Sequence, residues 1–114
     1  MAKERSMGIV GIGMVGGALL AYFKQSGVRP FIFDPLKGLG SLSEVNRAEI
    51  IFVCVPTPFH VDGRGFDLSY VERALGDLSG EKIVVVKSTM LPGTTERLQK
   101  KFVQHQILFN PEFL

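Results

Sequence analysis

Met7-Gly-Ile-Val-Gly-Ile-Gly-Met-Val-Gly16 decides how this chain is read. Its first half, through Ile12, reads as a strand. From Val15 to Gln25 the apolar residues Ala18, Leu19, Tyr22 and Phe23 recur at three- and four-residue spacing, which predicts a helix. Between them stand Gly11, Gly13 and Gly16, a G-x-G-x-x-G set. Gly11 allows a tight turn, Gly13 has no Cβ to bar a pyrophosphate from the backbone, and Gly16 lets the helix pack close to the strand. The helix N-terminus adds free N–H groups and roughly half a positive charge. A glycine-rich turn without a ligand has the same spacing. The strand before it and the helix after it favour the nucleotide reading.

Downstream, Ser26-Gly27 ends the helix and Pro30 to Phe33 forms a second strand. Asp34 closes that strand 18 positions after Gly16. An acidic residue there accepts the adenine ribose hydroxyls and repels a 2′-phosphate, so NAD is expected over NADP. Lys37, close by, softens that preference; an Asp-Pro turn that merely stops a strand is the alternative, and placement together with the glycines favours the ribose contact. Ser41 is expected to cap a short helix through Asn46, with Glu44 as its capping-box partner. Glu49 to Val55 reads as a third strand, apolar on both faces. Pro56 to Asp67 reads as a long loop. Ser69 with Glu72 predicts a second capping box, opening a helix with Val71, Leu75 and Leu78 on one face. Lys82 to Val86 is a fourth strand. Thr94 or Thr95 is expected to cap a helix through Lys101, and Gln106 to Phe109 is the last strand.

This alternation predicts an α/β fold: a Rossmann-type doubly wound parallel sheet in a three-layer αβα sandwich, a single domain. Such sheets bind ligands beyond the carboxyl ends of their strands. Here those ends are Gly11 to Gly16, Asp34, Val55 to Pro58, Ser88-Thr89 and Asn110 to Glu112. In Val55-Pro-Thr-Pro58 each proline stiffens the backbone, so the loop presents Thr57 or is simply a rigid turn. Thr89 suits a hydrogen bond to a cofactor amide or a water. Glu112, between Phe109 and Phe113, is expected to have a raised pKa, which suits a general base or a water-holding group. Cys54 reads as a buried core thiol. His60 and His105 have no metal-ligand spacing and read as surface residues, so no metal is expected.

Composition sets the limits. The 114 residues make one domain at the small end. With 46% hydrophobic and 21% charged residues, the chain is too apolar for intrinsic disorder. Thirteen basic against eleven acidic residues give a net charge of +2, and the basic residues are scattered, so no nucleic-acid face is expected. A single cysteine excludes an internal disulfide and fits a reducing compartment. The longest strictly apolar run is six residues, Ile50 to Val55, against the roughly 20 that span a bilayer. No apolar h-region follows the charged start, so a cytoplasmic protein with no membrane partner is expected.

Five motifs, Gly8 to Gly16, Cys54-Val-Pro-Thr-Pro58, Asp67-Leu-Ser-Tyr-Val71, Lys87-Ser-Thr89 with Pro92-Gly-Thr-Thr95, and Asn110-Pro-Glu-Phe-Leu114, occur in this order. Together they resemble the N-terminal NAD-binding domain of the UDP-glucose/GDP-mannose dehydrogenase family, the nucleotide-sugar dehydrogenases. The resemblance implies an oxidoreductase of polysaccharide biosynthesis that oxidises the sugar 6-hydroxyl of a UDP- or GDP-sugar to a carboxylate in two NAD-dependent steps. It implies cofactor contacts from Gly11, Gly13, Met14, Val15, Gly16, Asp34, Val55, Pro56, Thr57, Ser88 and Thr89. It makes Thr89 a positioner of catalytic water and Glu112 an acid/base group. It assigns substrate contacts to Glu112, Phe113 and Leu114. It identifies Cys54 with the family's strand cysteine. The nucleophilic cysteine, with its lysine and asparagine partners, belongs to a later part of such chains. Residues 1–114 are then expected to be an NAD-binding domain truncated before the central and C-terminal domains. Such a chain would be inactive alone and would need the missing half to act on its nucleotide sugar. The short stretch between Asp34 and Ile50 implies the loss of a helix, part of a strand and a basic cofactor contact. A non-catalytic NAD-binding or regulatory module with a vestigial groove stands as the alternative.

Overall fold

Four-residue strands form the frame: β1 (Met7–Val10), β2 (Phe31–Asp34), β4 (Ile50–Val53), β7 (Ile83–Val86) and β8 (Gln106–Phe109). The computed structural model describes residues 5–111. Glu112, Phe113 and Leu114 therefore lie outside the described residues. The strands pair in parallel, with Gly8 beside both Phe31 and Ile51, and Val86 beside Phe109. With β3 (Leu39–Gly40) at one edge, the sheet order is β3-β2-β1-β4-β7-β8. Moving outward from β1 in two directions makes this doubly wound, with the switch point at β1.

Two features depart from strict alternation. A two-residue strand, β3 (Leu39–Gly40), turns back antiparallel on β2. The stretch read as a loop after Pro56 holds a small hairpin, β5 (Phe59–His60) and β6 (Gly65–Phe66). Phe59 stacks edge-on against Phe66 at 5.2 Å. At the turn, the Arg64 guanidinium grips the Asp62 carboxylate at 2.8 Å. That contact holds the Asp62 carboxyl below its ordinary value.

The helices are α1 (Met14–Gln25), α2 (Leu42–Val45), α3 (Ser69–Asp77) and α4 (Thr94–Lys101). Ser41 caps α2 as predicted, its Oγ accepting the Glu44 N–H at 3.1 Å. The other predicted caps are corrected. Leu68, not Ser69, precedes α3, and the Asp67 carboxylate accepts the Ser69 N–H at 2.9 Å. Ser69 is already inside the helix, and the Glu72 N–H that its hydroxyl was to cap donates to the Leu68 carbonyl at 2.9 Å. Gly93 in the left-handed region (φ 86°), rather than a threonine, precedes α4. There the Thr94 N–H closes the turn onto the Leu91 carbonyl.

The pleat sorts the core into two clusters. Ile9, Ile12 and Phe23 pack with Leu19, Leu20, Ile32 and Phe52 under α1. Val10, Ile51, Val53, Val84, Val86 and Ile107 face the other way, onto α2, α3 and α4 through Val45, Leu75 and Leu98. His105 belongs with this second side and is only 2% exposed, which corrects its reading as a surface residue. Its Nδ1 accepts the Lys82 N–H at 3.2 Å, and its Nε2 lies 3.3 Å from the Leu75 carbonyl. Burial is tolerated because both ring nitrogens meet backbone groups.

Candidate functional site: a groove at the switch point

The carboxyl ends of β1, β2 and β4 open into a cavity of about 350 Å³, within the usual range for a small-molecule site. Its floor is the glycine loop. Gly11 takes φ +93°, which only glycine adopts freely, and its N–H donates to the Phe33 carbonyl at 2.9 Å. A Cβ on Gly16 would sit 1.9 Å from the Gly11 carbonyl oxygen, so α1 can lie this close only with glycine there. A Cβ on Gly13 would meet no atom within 4 Å. Packing therefore does not explain the glycine at 13. It leaves open space where a ligand can reach the backbone.

Asp34 forms the next wall. It is 5% exposed, and its carboxylate is held by three backbone amides. Oδ2 accepts the Ile12 N–H at 2.7 Å; Oδ1 accepts those of Leu36 and Lys37 at 3.0 and 3.2 Å. The Lys37 ammonium donates to the Ile12 carbonyl at 2.7 Å. Asp34 and Lys37 thus tie the β2 end to the glycine loop from both sides.

Of the predicted cofactor contacts, Gly11, Gly13, Met14, Val15, Asp34, Val55 and Pro56 line this one cavity. Gly16 lies behind the loop as a packing residue. Ser88 is buried and donates from Oγ to the Val55 carbonyl at 2.6 Å, holding the β4 end from the side of β7. Thr57 and Thr89 are half-buried and do not line the cavity. Cys54 is half-buried in the cavity wall rather than enclosed in the core. The far wall comes from α3, through Tyr70, Arg73, Ala74 and Asp77. These residues escaped the sequence reading, which followed only the apolar stripe of that helix. Their signal was present: they flank Val71 and Leu75 on the turn-by-turn spacing that places them on one edge of the helix.

The residues present fit a dinucleotide. The space over Gly13 is open, α1 begins beside it, and an acidic side chain stands at the end of β2. Among the described residues, no group of three or more histidine, cysteine, aspartate and glutamate side chains stands together to hold a metal. Among the same residues, no helix is long and apolar enough to cross a membrane.

Residues 36–114 match the UDP-glucose/GDP-mannose dehydrogenase family, NAD binding domain. The chain belongs to this family. NAD is the cofactor of the matched domain. UDP-glucose 6-dehydrogenase 5 of Oryza sativa subsp. japonica is 44% identical over 84 residues, which are 61% of this chain and 18% of that protein. UDP-glucose 6-dehydrogenase 4 of Arabidopsis thaliana is 43% identical over the same shares. The chain thus spans less than a fifth of the length of these two relatives. Among solved structures, a UDP-glucose dehydrogenase from Pyrobaculum islandicum superposes with a TM-score of 0.77 at 26% identity, over 98% of this chain and 37% of that one. A GDP-mannose dehydrogenase from Pseudomonas aeruginosa, in a ternary complex, also gives 0.77, at 22% identity over 95% and 36%, and so shows the shared fold. The family match begins beyond Asp34, whereas the structural likeness takes in the glycine loop as well. This family's NAD binding domain, in a Rossmann-like α/β fold, is what the sequence motifs implied.

Proposed function

We propose that this chain is the NAD-holding part of a nucleotide-sugar dehydrogenase, which oxidises the sugar 6-hydroxyl of a UDP- or GDP-sugar to a carboxylate. The supporting observation is the convergence of the glycine loop, Asp34 and Val55-Pro56 on one cavity at the sheet's switch point. The backbone around Gly13 and the first turn of α1 bind the pyrophosphate. Asp34 accepts a ribose hydroxyl with the acceptor capacity its three amides leave free. The apolar side of the cavity, at Leu42, Ala74 and Leu78, takes the adenine ring. Bound NAD supplies the hydride acceptor. Thr89 positions a water, and Glu112, with Phe113 and Leu114, meets the substrate. Cys54 is the one cysteine in the sequence and stands at the end of β4 in the cofactor wall, so the nucleophile for the second oxidation is not among these residues. That single cysteine also fits a reducing compartment, and we place the protein in the cytoplasm.

Calorimetric titration with NAD, followed by an absorbance assay for NADH with UDP-glucose or GDP-mannose, tests the reading. Binding without NADH formation is expected of the 114 residues alone. No binding at millimolar NAD would overturn the assignment of the groove. Robust turnover would overturn the assignment of the nucleophile to other residues.

A further inference from the structure

We propose that the cleft between the β5–β6 hairpin and the start of α4 binds a small phosphate monoester, held by Thr94, Arg97 and the first turn of that helix. The cleft shares no lining residue with the dinucleotide groove and does not depend on that reading.

The hairpin leans on the turn before α4, so closely that a Cβ on Gly65 would lie 3.0 Å from Leu91 Cδ1. Between them lies a cavity of about 270 Å³. Thr94 lines it and is only 5% exposed. Buried hydroxyls nearly always have a hydrogen-bond partner. The Thr94 hydroxyl has none among the described residues, although the N–H of the same residue is taken by the Leu91 carbonyl. Among those residues no buried side-chain oxygen is both unpartnered and sealed off. The open side of the Thr94 hydroxyl is therefore the side toward the cavity, where an acceptor or donor from a ligand would complete it.

The surroundings favour an anion. In the first turn of the eight-residue α4, the N–H groups of Thr95 and Glu96 meet no acceptor among the described residues. Such a turn attracts negative charge. Arg97 stands one turn beyond Thr94 and lines the same cavity. Its helical neighbours are Gly93, Thr94, Lys100 and Lys101, none of them acidic, and Lys101 pairs with Glu72 at 3.6 Å. Arg97 itself forms no ion pair among the described residues. Arg64 faces it from the hairpin, but its Nε is held by Asp62 at 2.8 Å and its Nη2 lies 3.2 Å from His60 Nδ1. Arg64 therefore adds spare N–H donors rather than net charge. The nearby carboxylates of Asp62, Asp67 and Glu96 do not line the cavity. A guanidinium presents paired donors that match phosphate oxygens. Phe66, Leu68, Leu91 and Pro92 make the rest of the lining apolar, which suits a phosphate carried on a hydrocarbon body.

The test is a titration of the nitrogen-15-labelled chain with phenyl phosphate and with inorganic phosphate, at constant ionic strength, followed by amide chemical shifts. Saturable shifts are expected at the Thr95 and Glu96 amides, with phenyl phosphate binding at least about threefold tighter than inorganic phosphate. Arg97→Gln should weaken phenyl phosphate at least about tenfold, the factor one charged hydrogen bond carries. Thr94→Val should weaken it about fivefold without lowering the melting temperature, because the hydroxyl it removes has no partner in the protein. A Thr94→Val chain that melts lower and binds phenyl phosphate like the wild type makes the hydroxyl structural and overturns the inference. Shifts confined to the amides of Gly13 to Gly16 place the anion in the dinucleotide groove alone and also overturn it. So do shifts that sodium chloride reproduces, or an Arg97→Gln chain of unchanged affinity. Inorganic phosphate binding as tightly as the ester overturns the assignment of a hydrocarbon body.

Discussion

Replacing Gly13 and Gly16 separately with alanine divides what the glycine loop does for a ligand from what it does for the fold. At Gly16 the new Cβ would lie 1.9 Å from the Gly11 carbonyl oxygen and 2.9 Å from its carbon, both of them backbone atoms. An ordinary carbon–oxygen contact is about 3.3 Å. The loop and α1 must therefore part by roughly 1.4 Å, which opens the cluster of Ile9, Ile12 and Phe23. Overpacking of this kind costs about 3 kcal/mol or more, which for a domain of this size lowers the melting temperature by about 12 °C. At Gly13 nothing lies within 4 Å of the new Cβ, and φ is −91°, outside the left-handed region. Alanine there changes stability by no more than about 1 kcal/mol. The added methyl does occupy the space a pyrophosphate needs, so NAD affinity falls at least about tenfold. Thermal melts by circular dichroism and NAD titrations on both variants check the pair. A Gly13→Ala chain that binds NAD like the wild type, or a Gly16→Ala chain with an unchanged melt, would refute the division.

Ser88→Ala removes the buried 2.6 Å bond to the Val55 carbonyl and should cost about 1 to 2 kcal/mol in urea unfolding, with a several-fold loss of NAD affinity as the β4 end loosens. His105→Leu strands the Lys82 N–H and the Leu75 carbonyl; a loss of about 2 to 3 kcal/mol is expected with NAD binding retained, because His105 does not line the cavity. Asp62 is held below its ordinary value of 3.8 by the Arg64 side chain, and Asp67 by hydrogen bonds from Ser69. A lowered folded-state pKa gives stability that is present above the unfolded value and lost as pH falls through the folded one. Hydrogen exchange at the Arg64 and Ser69 amides should therefore speed up below pH 3.8, relative to a core amide such as that of Val53. Exchange that tracked the core amide throughout would count against it.

The β1-α1-β2 unit and the ligand-bearing strand ends were legible because each is written locally. Glycine spacing, apolar periodicity and an acidic residue at the end of a strand all fall within about 30 residues. Asp34 was legible as a position, but its hold on the amides of Ile12, Leu36 and Lys37 was not, since one of those donors comes from a loop 22 residues away. The β5–β6 hairpin was missed although Asp62-Gly63 is a turn signal. Strands of two residues are too short to show a period. His105 was misread because its partners, Lys82 and Leu75, are backbone groups 23 and 30 residues away, and no pattern in the chain reports them. The far wall of the cavity was legible as one edge of α3, but which edge of the helix faces the groove depends on how it docks.

The division of helices has a consequence for how this domain breathes. Among the described residues α1 alone covers its face of the sheet, while α2, α3 and α4 share the other. Lifting α1 would uncover only the small cluster and leave the larger one intact. The same event dismantles the turn between β1 and α1, where a dinucleotide would lie. Cofactor occupancy and the attachment of this helix are therefore one equilibrium seen from two ends. A ligand at a hundred times its dissociation constant would tighten that attachment by about 2.7 kcal/mol without touching a side chain of the small cluster.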